Sequence, residues 1–71
     1  MQVSNELREK LVNYVKVAFD RAKFIGYKVN PELFIKANIS QWVKLHFAKL
    51  DYNQRMALRE QLYKEEFIDK K

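Results

Sequence analysis

The sequence predicts an all-α protein, a compact bundle of four helices with the second and third short. Three observations predict it. One Gly and one Pro in 71 residues leave few breakpoints. Apolar residues recur at helical spacing from Leu7 to Ile25. Helix-starting patterns stand at Ser4-Asn5, at Asn30-Pro31-Glu32 and at Asp51 with Gln54. A chain of this length forms one helical domain, 1–71. It buries only about 60% of its unfolded surface, and one core of this size rarely supplies more than about 3–5 kcal/mol. With no Cys and a single His there is no disulfide and no ligand set for a metal, so no metal or cofactor is expected. Dimerisation or dense aromatic packing must then supply the missing support.

Ser4 or Asn5 caps a first helix over about 5–25, since a short polar side chain accepts a hydrogen bond from an otherwise unpaired amide of the first turn. Leu7, Leu11, Tyr14, Val15, Ala18, Ala22 and Ile25 share one face of it. Val12, Val17, Phe19 and Phe24 widen that face, which predicts a central helix touching every other element. Gly26 stands where a left-handed cap belongs. Asn30 caps the second helix, Pro31 is pre-set for its first position and Glu32 suits the positive end of its dipole, giving a helix over 31–37. Asn38 tolerates a left-handed turn and Ser40 caps again, giving a third helix over 41–50. Asp51 and Gln54 match a capping box, which opens a fourth helix over 52–68. Its apolar residues form two stripes, Tyr52, Met56, Tyr63 and Phe67 on one, Leu58 and Leu62 on the other; Glu60 and Lys64 are spaced for an i,i+4 ion pair.

Charge is unevenly placed. The net charge is +5 overall; residues 1–26 hold five bases and three acids, residues 27–50 four and one, and residues 51–71 five and five. Lys28, Lys36, Lys44 and Lys49, with His46 nearby and Glu32 as the only acid, make the middle the distinctive part, and phosphate is the natural counter-ion. Each lysine taken alone is equally a solubilising residue on a short helix.

Leu33-Phe34-Ile35-Lys36-Ala37-Asn38-Ile39-Ser40 resembles the first helix and turn of a helix-turn-helix DNA-binding module, with Asn38 in place of the turn Gly and Ile39 plugging the core. The resemblance covers eight residues. Phe34 departs from the small Ala of that pattern, and Lys44 stands where an apolar residue is expected. It implies that Gln41, Trp42, Lys44 and Leu45 begin a helix that enters a major groove, with Gln41 at an adenine edge and Lys28, Lys36, Lys49 and His46 near the backbone. Trp42 also reads as a core or interface anchor.

Arg55 and Arg59 lie one turn apart and could clamp a phosphate or a partner carboxylate; the plainer reading has their stems covering Leu62 and Tyr63. Ten aromatic residues, among them Tyr63 and Phe67 on the last helix, either cover a partner or second copy or compensate for a small core. His46 has no neighbouring nucleophile or acid and no Gly-rich phosphate loop exists, so no enzyme is expected.

The leading expectation is a small basic DNA-binding protein, a transcription regulator docking on duplex DNA through 31–50 and dimerising through its last helix. The alternative is a small adaptor, or an inhibitor of the mobile-element kind, that binds an acidic protein target through Arg55, Arg59, Tyr63 and Phe67. The opening Met-Gln-Val-Ser-Asn-Glu lacks a basic start followed by an apolar run, and the longest uncharged stretch, Ala37 to Val43, is too short to span a bilayer. A cytoplasmic chain without a membrane partner is therefore expected.

Overall fold

A computed structural model describes residues 3–69. Three α-helices follow in order, α1 (Asn5–Phe24), α2 (Pro31–His46) and α3 (Tyr52–Tyr63), and α3 runs on into one π-helical segment, Lys64–Ile68. No strand occurs among the described residues. The all-α class stands, but with three helices instead of four.

Local chemistry sets most boundaries. The Ser4 side chain accepts from the Leu7 amide at 3.2 Å and opens α1. Gly26, at φ 75°, closes it: its amide donates to the Lys23 carbonyl at 3.0 Å and the Tyr27 amide to the Ala22 carbonyl at 2.9 Å, the paired bonds of a Schellman turn. The Asn30 side chain accepts from Leu33 at 3.1 Å and opens α2 with Pro31 behind it. Asp51 and Gln54 form the reciprocal capping box of α3 at 2.8 and 3.0 Å.

The turn expected at Asn38-Ile39-Ser40 does not form. No residue other than Gly has positive φ, and Asn38 sits inside α2, its side-chain amide donating to the Phe34 carbonyl at 2.9 Å. Ser40 is likewise mid-helix and caps nothing. Asn and Ser cost a helix interior only a few tenths of a kcal/mol each relative to better formers. Ile35, Ile39, Trp42 and Val43 form one stripe at spacings of four, three and one, and it faces the core only if the helix is unbroken. Packing along that stripe outweighs the local turn preference. The second and third helices are thus one, ending at His46 rather than Leu50, with Phe47 as its cap.

α2 lies in the middle and packs against both α1 and α3, so the central helix is α2 rather than α1. Val3, Leu11 and Val15 from the first part of the chain, Ile39, Trp42 and Val43 from α2, and Leu58 and Leu62 from α3 make one buried cluster. Leu7, Ile35, Phe47, Leu50, Tyr63 and Phe67 pack around it. Phe19 meets Phe34 edge-on at 5.2 Å. Val17 and Phe24, expected to broaden the apolar face of α1, are exposed instead, as is Ile25. Arg8 ties the two ends of the chain: its guanidinium donates to the Val3 carbonyl at 3.0 Å, to Glu65 at 2.7 Å and to Glu66 at 3.0 Å. The i→i+5 bond from the Asp69 amide to the Lys64 carbonyl, at 2.8 Å, belongs to the π turn that carries both carboxylates.

Candidate functional site

The α1–α2 hairpin leaves a groove along one side, with a volume of about 600 Å³. Lys10, Tyr14, Val17 and Arg21 of α1 stand at spacings of four, three and four, and Asn38, Trp42 and His46 of α2 at spacings of four, so each set forms a single helical face. Asn13 and Ala18 complete the α1 wall. The α2 wall exists because the helix does not break at Asn38; a turn there would send Trp42 and His46 along a different axis.

Trp42, 1% exposed, belongs to the core and offers the groove almost no accessible surface. Its indole lies against the His46 ring at 4.6 Å between centroids and against Phe47 at 5.9 Å. Tyr14 and Val17 line the groove and are exposed, 36% and 57%. Lys10 makes only a long contact, 3.7 Å, with the exposed Glu6. Arg21 enters no ion pair among the described residues. The lining therefore combines two cations and an imidazole with aromatic and aliphatic surface, and it contains no carboxylate.

The residues expected to bind nucleic acid do not converge. Lys28 is exposed in the α1–α2 link and Lys49 in the α2–α3 link, off opposite ends of a helix about 24 Å long. Gln41 and Lys44 are exposed along α2, in its interior rather than at the start of a separate helix. Lys36 is engaged within the chain, 3.2 Å from Glu60 and 3.3 Å from Glu32, with its ammonium 5.0 Å from the centre of the Tyr63 ring. Hydrogen bonding to Glu60 first, and to Glu32, raises the Lys36 pKa and fixes its charge there. The same contact with Lys36, helped by Arg59, holds the Glu60 carboxyl below its ordinary range. Glu60 thus pairs with Lys36 and Arg59 rather than with Lys64.

The expected partner-binding set is similarly occupied. Arg59 bonds Glu60 at 3.0 Å and the Ser40 hydroxyl at 3.4 Å, and Arg55 reaches the Leu50 carbonyl at 3.4 Å, so the two do not form an open clamp. Tyr63 and Phe67 stack at 6.3 Å and pack half-buried on the chain's own core. Of the sequence candidates, Trp42 and His46 reach the groove, and Lys10, Asn13, Tyr14, Val17, Arg21 and Asn38 were missed. A signal for the missed residues was present, since Lys10, Tyr14, Val17 and Arg21 form a stripe beside the buried one. Charge counting alone, which favoured the middle segment, passed over it.

Among the described residues no three His, Asp or Glu side chains gather as metal ligands, and no helix is long and apolar enough to cross a membrane. No protein-family model, curated protein or solved structure matches this chain.

Proposed function

We propose that this protein is a small non-enzymatic binding domain whose partner is an acidic, amphipathic protein segment held in the α1–α2 groove. The observation that carries this is the lining itself: Lys10, Arg21 and His46 accompany the exposed Tyr14 and Val17, and no acid is among the lining residues. A helix with apolar residues at i, i+3 or i+4 and i+7 would lay them on Tyr14 and Val17, while its flanking carboxylates meet the cations. Rim charges of this kind speed and orient encounter, and the apolar contacts at the centre carry the lifetime of the complex. An adaptor or inhibitor role follows, acting by occupancy of a target's acidic helix rather than by chemistry.

The test uses a synthetic helical peptide with Glu on one face and Leu and Phe on the other, followed by amide chemical-shift mapping and fluorescence anisotropy. Binding should perturb the groove residues, weaken with Arg21→Glu and Tyr14→Ser, and vanish when the peptide's Glu are replaced by Lys. Perturbations confined to another face would overturn the assignment.

A second reading, binding of duplex DNA, is favoured by one observation: Lys28, Lys44 and Lys49 are exposed and enter no ion pair among the described residues. Three phosphate contacts predict a slope of roughly −2.7 in log affinity against log salt, and Lys44→Ala should shallow it by about one unit. Duplex binding with that slope, together with no binding of the acidic peptide, would give the function to this reading.

A further inference from the structure

Among the described residues, the densest run of exposed large apolar side chains lies neither in the groove nor on α3 but at the turn that joins α1 to α2. Phe24 is 91% exposed, Ile25 68%, Leu33 66% and Tyr27 63%, all within ten consecutive residues. Four large apolar side chains in water at one end of a small hairpin carry a cost that nothing in the chain's own fold requires, because the core is built elsewhere.

Two further features define what could cover them. The backbone closes on itself at the two helix ends, where the Ile25, Gly26 and Tyr27 amides donate back to Arg21, Lys23 and Ala22, the Asn30 side chain takes the Leu33 amide and the Asn30 carbonyl takes the Phe34 amide, while between them the Lys28, Val29 and Asn30 amides have no partner among the described residues and can meet headgroup oxygens. The charge is of one sign, since residues 21–31 hold Arg21, Lys23 and Lys28 and no acid. The nearest acids are Asp20, one turn back from Phe24, and Glu32, which is paired with Lys36 at 3.3 Å.

We propose that the α1–α2 turn is a peripheral docking tip for anionic membrane surfaces, placing Phe24, Ile25, Tyr27 and Leu33 in the interfacial layer while Lys23 and Lys28 reach the headgroup phosphates. Phe and Tyr rings suit that layer, and lysine stems extend alongside apolar groups while their ammoniums stay at the polar surface. A second copy of the chain fits less well. Face-to-face docking would oppose like charges across the contact, and four side chains fall short of the roughly 800 Å² that each partner gives a stable interface. The expectation of no membrane partner rested on spanning length, and a peripheral contact needs no span.

The experiment is co-sedimentation with phosphatidylcholine vesicles, with and without phosphatidylserine. Wild type should bind the anionic vesicles. Lys23→Gln and Lys28→Gln should each weaken binding by about fivefold, and Phe24→Ser by about tenfold or more. Tyr52→Ser, which alters a ring on α3 about as exposed as Tyr27, should leave binding unchanged. Phe24→Trp should add an emission component that shifts to the blue with vesicles and is quenched by brominated lipid. Absence of binding to anionic vesicles refutes the proposal. So does wild-type affinity in Phe24→Ser, which would reduce the effect to adsorption by net charge. A wild-type dimer that Phe24→Ser converts to monomer would assign the tip to self-association instead.

Discussion

Replacing Gln41 with Pro distinguishes a continuous α2 from two helices joined at Asn38 more sharply than any other single change. Gln41 is exposed, so the substitution removes no packing, and its effect reports on the backbone alone. In α2 it is the eleventh of 16 residues. Pro there deletes the amide that bonds the Ala37 carbonyl and drives the ring into that carbonyl, a cost of about 3 kcal/mol or more. If residues 38–40 were instead a turn, position 41 would be the first residue of a helix, where Pro is favoured and stability would hold or rise. The two arrangements therefore predict different outcomes. With roughly 4–8 °C per kcal/mol for a domain of this size, the continuous helix predicts a midpoint lowered by about 12–24 °C, close to the whole margin of a small core. Thermal and urea unfolding followed by far-UV circular dichroism measures it. Gln41→Ala serves as control and should stay within about 0.5 kcal/mol of wild type. A Gln41→Pro variant that keeps the wild-type midpoint would refute the continuous helix and the α2 wall of the groove with it.

Gly26→Ala should lower stability by about 1 kcal/mol, read from urea midpoints, because φ of 75° strains any Cβ although the space around it is open; an unchanged midpoint would contradict the left-handed cap. Tyr63→Ser and Phe67→Ser should each destabilise by about 1–2 kcal/mol, since both rings are half-buried on the core. Sedimentation of the pair checks the alternative: a loss of mass with no loss of stability would mean that these rings join two copies. Arg8 holds the Glu65 carboxyl below its ordinary value near 4.5, chiefly by hydrogen bonding. The contribution of Glu65 is therefore fully present above that value and is lost as pH falls through the lowered one. Arg8→Met should flatten this acid limb of the stability curve below about pH 4.5 while lowering stability at neutral pH. An acid limb unchanged by the substitution would show that Glu65 is not the group responsible.

Boundaries marked by local chemistry were legible in the sequence. Ser4, Gly26, Asn30 with Pro31, and Asp51 with Gln54 each act through hydrogen bonds or backbone preferences within a few residues, so no distant part of the chain can easily reverse them. Asn38 and Ser40 carry similar local preferences but weaker ones. They yielded because Ile35, Ile39, Trp42 and Val43 gain more by facing one core than a turn gains by forming. The α1 stripe of Lys10, Tyr14, Val17 and Arg21 was equally visible, but only the placement of α2 made it one wall of a groove.

By itself the sequence determined an all-helical chain, its caps, its excess of positive charge and the lack of a thiolate or imidazole cluster, because these depend on composition and on neighbours a few residues apart. Tertiary structure alone decided which charges stay free. Lys36 meets Glu60 across 24 residues of chain and Arg8 meets Glu65 and Glu66 across 57 and 58, pairings that engage these charges within the fold. It also decided that Trp42 is core and that Phe24 is surface. Both are large aromatic residues on helices, and only the direction in which each helix turns its face toward the others separates them.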